Sequence, residues 1–173
     1  MADAVFLVLL VLHVGAIVAW MGGASLFISV IIPSLSKMSP SSKAEFIVST
    51  LPRYLRFISG SSILAIIAGV ILYGYTTQTA TSLAPSSSGL VYVQAGAVLG
   101  LVVLIIAFGV LVPTGRKLVS LVKQQPKPQA APTTQDPIAT QIASLQRRMG
   151  MAGRLGVTLL GIALILMIIG ASL

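Results

Sequence analysis

The chain has 173 residues, 56% hydrophobic and only 8% charged, with eleven Lys and Arg against three acidic residues and a net charge of +8. A water-soluble surface normally needs about a quarter of residues charged, so this composition excludes an ordinary soluble domain and points to an integral membrane protein. With no cysteine, disulfides, thiolate metal sites, iron–sulfur clusters and cysteine nucleophiles are excluded, and one histidine beside three acids leaves little for hydrolytic catalysis.

The first apolar run, residues 4–32, is longer than a bilayer core of roughly 30 Å requires. No basic residue precedes it and it is too long for the apolar region of a cleaved leader, so it reads as a retained span. The polar loop 33–56 comes next. Within it, Ser42 and Glu45 have capping-box spacing after Pro40, which predicts a short helix over 43–51 before Pro52 restarts the chain. A second span covers 57–75, an uncharged outer segment 76–89, and a third span 90–112.

The second polar loop, 113–154, contains a proline-rich flexible linker over 124–137. Beyond it Ile138, Ile142, Leu145 and Met149 recur on one helical stripe, which predicts a helix lying on the bilayer surface and feeding the fourth span, 155–173. Without internal water each span must be helical to satisfy its own backbone. The expected fold is therefore all-α, a single-domain polytopic membrane four-helix bundle.

All eleven basic residues fall in the two loops, 33–56 and 113–154 or their edges, and the outer segment carries no charge. The positive-inside rule then places both loops in the cytoplasm of a plasma-membrane protein, with the N and C termini outside. Attraction to anionic lipid headgroups accounts for the positive charge, and no groove-reading pattern for nucleic acid is present. The halves also resemble each other. His13 precedes Phe27 by fourteen residues as Gln94 precedes Phe108, and Pro33 and Pro113 come after. Arg56 and Arg154 introduce the second span of each half. The pattern is that of a parallel two-plus-two hairpin repeat, with Gln94 in the place of His13.

His13 is the ionisable side chain within a span, about 12 Å from the outer end of its helix. Trp20 and Phe27 come at intervals of seven on the same face, and Gly15, Ala19 and Gly23 form a small-residue stripe beside them. Two readings stay open. The ring could ligate a flat aromatic cofactor such as haem, or hydrogen-bond Gln94, Ser25 or a backbone carbonyl across a helix interface. Arg53 and Arg56 could hold propionates, phosphates or headgroups, or simply anchor the interface. Gly96 and Gly100, and the series Gly150, Gly153 and Gly156, read as helix-packing positions.

The stretch LHVGAIVAWMGGASLFISVIIP, carrying His13, Gly15, Trp20, Gly22, Gly23 and Pro33, resembles the first-helix pattern of the CopD/HemJ-like superfamily of small membrane proteins linked to copper handling and haem. The stretch PRYLRFISGSSILAIIAG is similar too, and the likeness covers roughly the first 75 residues. The resemblance implies His13 as a haem b or copper ligand, with Trp20, Gly22 and Gly23 shaping the site. A second intrachain histidine ligand is impossible here, so the resemblance requires a methionine such as Met151 or Met21, an open position, or a second chain.

The expectation is thus a haem-linked or redox-accessory membrane protein with His13 as axial ligand. The rivals are a non-catalytic structural subunit of a larger membrane complex, or a homodimer, and a copper-handling protein.

Overall fold

The computed structural model describes residues 4–78, 85–124 and 137–173, so most of the linker expected over 124–137 lies outside the described residues. Among those residues the elements are helical throughout: α1 (Ala4–Leu26), α2 (Ile32–Leu35), α3 (Pro40–Ser49), α4 (Leu51–Gln78), α5 (Ser87–Ile106), α6 (Val112–Gln124) and α7 (Pro137–Ser172), with π turns at Phe27–Ile31 and Ala107–Leu111. Four helical rods, Ala4–Leu35, Pro40–Gln78, Ser87–Gln124 and Pro137–Ser172, are long and apolar enough to cross a membrane. The bundle is built from two hairpins, α1 against α4 and α5 against α7.

Both π turns have one physical origin. Pro33 and Pro113 lack the N–H that would continue an α-helical ladder, and their rings would clash with the preceding turn. The turn before each proline widens instead, so that Ile32 N–H bonds Phe27 O and Val112 N–H bonds Ala107 O. The matching bulges strengthen the two-plus-two repeat and correct its register by one residue. Phe27, 7% exposed, corresponds to Ala107, whereas Phe108 is 42% exposed. In that register Val93, not Gln94, stands where His13 does. Burial obeys the same correspondence: Ala16 and Trp20 match the buried Gly96 and Gly100, while Leu51, Ile58, Ser62 and Ala65 match Met149, Gly156, Leu160 and Ala163.

Two further expectations change. The short helix begins earlier, at Pro40, because Ser39 rather than Ser42 is the N-cap, its hydroxyl accepting from Ser42 N–H at 3.3 Å. Pro52 restarts the chain as expected: α3 ends at Ser49, and the proline sits in the first turn of α4, where its missing N–H costs little. The stripe Ile142, Leu145 and Met149 belongs to α7, one continuous helix of 36 residues. It packs on a core of Phe27, Ile47, Leu51, Leu55, Leu118 and Val122 at the basic end of the bundle. No proline interrupts this helix, and burying the stripe against α3 and α6 replaces the expected contact with the bilayer surface. A second core, mid-bundle, gathers Ala16, Trp20, Ile58, Ala65, Val103 and Leu160.

Candidate functional site

The heptad run Phe6, Trp20 and Phe27 turns one face of α1 into the bundle, and His13 lies on that face, half-buried. Its Nδ1 is 2.8 Å from the Ala65 carbonyl oxygen of α4. A carbonyl only accepts, so Nδ1 carries a proton and donates it to Ala65 O. The ring thus meets a backbone carbonyl rather than Gln94 or Ser25.

Space for the ring comes from Gly69, one turn beyond Ala65. A Cβ there would stand 2.6 Å from His13 Cε1 and 2.9 Å from Nδ1. Imidazole and glycine therefore form a knob and notch with a hydrogen bond beside them. Sequence reasoning passed over Gly69, whose signal was a glycine in an apolar span facing the polar residue of its partner helix.

A small cavity of about 40 Å³ adjoins the clasp, lined by His13, Trp20, Gly96, Gly100, Ala163 and Met167 among others. Trp20 is 3% exposed, and its indole N–H has no hydrogen-bond partner among the described residues. The structure thus brings His13 and Trp20 together and adds Met167, which the sequence pattern does not single out. Met21 packs against the mid-bundle core.

The remaining candidates lie elsewhere. Gly23 belongs to the α1–α4 contact, where a Cβ would meet Phe57 Cε1 at 3.0 Å, but Gly22 faces outward with open space around it, and so does Gly15. Gln94 is exposed and donates from Nε2 to the Tyr73 hydroxyl at 2.7 Å, tying α5 to α4 away from His13. Met151 is 56% exposed. It precedes Met167 by sixteen residues of continuous helix, about 24 Å, which places it out of reach of the ring. Arg53 and Arg56 are exposed at the start of α4, and Arg56 lines a cleft together with Arg116.

These dimensions test the haem expectation. Pockets that enclose cofactors or drug-sized ligands run from about 300 Å³ upward, and the space beside His13 holds an order of magnitude less. Gly96 is closed off by α7, since a Cβ on it would lie 2.9 Å from Ala163 O. The space beside His13 is too small for a porphyrin. The described residues also contain no cluster of three or more His, Cys, Asp or Glu side chains able to hold a metal ion. No protein-family model, curated protein or solved structure matches the chain.

Proposed function

We propose that this chain is a non-catalytic accessory subunit of a membrane assembly, its ionisable intramembrane residue serving as a clasp between helices. The observation that carries this reading is the His13 Nδ1–H bond to Ala65 O, seated in the Gly69 notch. A polar group within a bilayer must be satisfied, and here the backbone of the next helix satisfies it. The concentration of basic residues in residues 33–56 and 113–154 supports a plasma-membrane orientation with those segments cytoplasmic and both termini outside. Near the uncharged end, the exposed Gln94–Tyr73 pair offers a neighbouring subunit a polar contact within an otherwise apolar surface.

One observation favours a second reading. A histidine whose Nδ1–H is held by a carbonyl presents Nε2 as a ligand, the arrangement usual in metal and haem sites. The likeness of the first span to CopD/HemJ-like proteins points the same way. Since the enclosed space is too small for a porphyrin, haem b would have to bind on the open side of α1 or between two copies of the chain, and copper would need donors beyond His13.

One experiment separates the two. Absorption spectra of oxidised and dithionite-reduced protein, expressed with ample haem, are recorded beside His13→Ala, and thermal unfolding is measured on His13→Ala and His13→Gln. The clasp reading expects featureless spectra, a loss of stability in His13→Ala and partial recovery in His13→Gln, whose amide can donate to Ala65 O. A Soret band that shifts on reduction and vanishes in His13→Ala would replace it with the haem reading.

A further inference from the structure

A cleft lies at the basic end, between the first turns of α4 and the second π turn with the start of α6. It has a volume of about 590 Å³ and is lined by Arg56, Ser59, Phe108, Val112, Pro113 and Arg116 among others. We propose that this cleft binds one anionic phospholipid, its phosphate between Arg56 and Arg116 and one hydrocarbon chain along Phe108. The proposal is independent of the role of His13.

Three features of the site support it. The polar and apolar walls are ordered along the membrane normal. Arg56 and Arg116 stand just outside the apolar spans, at headgroup level, and Ser59 and Phe108 lie about a turn or more inside. An amphiphile with a charged head and an oily tail has that same polarity. The donors are also free. Among the described residues neither guanidinium has a hydrogen bond or ion pair and the Ser59 hydroxyl has no partner, although serines at 61, 62, 120 and 144 bond back to their own helices. Two guanidinium forks and a hydroxyl converging on one cleft suit a phosphate.

The third feature comes from the repeat. At the equivalent junction on the other side of the repeat, between α7 and the first π turn, Gly153 lets Ile28 pack against α7, within 2.8 Å of where a Cβ would be. In the open cleft Leu55 takes the place of Gly153 and leans instead on Gly115 of α6, and Phe108 is turned outward. Of the two junctions between the hairpins, one packs Ile28 into this place and the other keeps the cleft.

The test uses full-length protein in detergent, with native mass spectrometry after addition of phosphatidylglycerol or phosphatidylcholine. Wild type is expected to retain phosphatidylglycerol over phosphatidylcholine by about tenfold, as two charge-assisted contacts would give. Arg56→Gln/Arg116→Gln should abolish that preference, and Arg147→Gln/Arg148→Gln, which removes the same charge from exposed positions on α7, should preserve it. Ser59→Phe, which fills the cleft and leaves both arginines, should also weaken retention. Unfolding curves of each variant establish that retention is read on folded protein. Equal losses in the two arginine pairs would overturn the proposal in favour of diffuse charge attraction. So would full displacement of the lipid by inorganic phosphate, which would make the cleft an anion site with no use for a tail.

Discussion

The two hairpins solve one packing problem in opposite ways. In the first, the large group is on the leading helix: His13 and Trp20 project from α1, and α4 answers with Ala65 and Gly69. In the second, the leading helix supplies Gly96 and Gly100, and its partner α7 supplies Met167, whose Cγ would lie 2.9 Å from a Cβ at Gly96. Ala65 and Ala163 occupy corresponding places, as do Gly69 and Met167. Knob and notch have changed sides. The apolar half closes by helix contact alone, with Gly89 and Gly170 bringing the backbones of α5 and α7 together at the far end. Only the first half carries an imidazole, so whatever this protein does beyond packing must come from the asymmetry between halves that share a scaffold.

That comparison can be broken most forcefully in the apolar half. Gly96→Val would drive a side chain into the Ala163 carbonyl, which is backbone and cannot swing away. A destabilisation of about 3 kcal/mol is expected in SDS-titrated unfolding. A value under about 1 kcal/mol would mean that α5 and α7 are less intimately packed than described. In the polar half, Gly69→Val should cost about 2 kcal/mol by pushing the imidazole off Ala65 O. Here a double-mutant cycle sharpens the contrast, because removing the ring with His13→Ala should relieve much of that cost. Additive losses would show that Gly69 serves something other than the ring. His13→Ala alone should lower stability by about 1 kcal/mol, the usual range for a hydrogen bond between membrane helices, and His13→Gln by less. The smallest effect belongs to Gly22→Ala, which faces open space and should change the unfolding midpoint by no more than about 0.5 kcal/mol in either direction.

Hydropathy and charge made the gross fold legible, because a span needs about twenty apolar residues and has few ways to disguise itself. The hairpin repeat was legible too, but pairing Phe27 with Phe108 puts its register out by one. An aromatic ring is tolerated at many positions in a bilayer, whereas a proline removes a backbone donor and has to be accommodated, so Pro33 and Pro113 are the better rulers. Around His13 the sequence identifies the residue but not its environment. Which carbonyl it meets depends on the rotation of α4 about its axis, and hydropathy does not encode rotation when every face of a helix is apolar. Gly22 and Gly23 illustrate the point: adjacent glycines in one motif, of which one is pressed against Phe57 and the other looks outward. Met151 is suggested by its chemistry alone, and its place along α7 puts it at the wrong depth.

The widened turns before Pro33 and Pro113 also set the azimuth of the helical segments beyond them. Each holds one more residue per turn than an ordinary helix would, so the segment beyond lags by roughly 100° behind the azimuth an unbroken α-helix of the same sequence would give it. Replacing the proline in Pro113→Ala, with the residue count unchanged, would let the ordinary pitch return and swing α6 round by that angle. The membrane-embedded portion of α5 would keep its packing, while Arg116 was carried off the cleft it shares with Arg56 and Leu118 was withdrawn from the core beneath it. A single proline at the end of a greasy helix thus decides the compass bearing of a charged group about one turn beyond it.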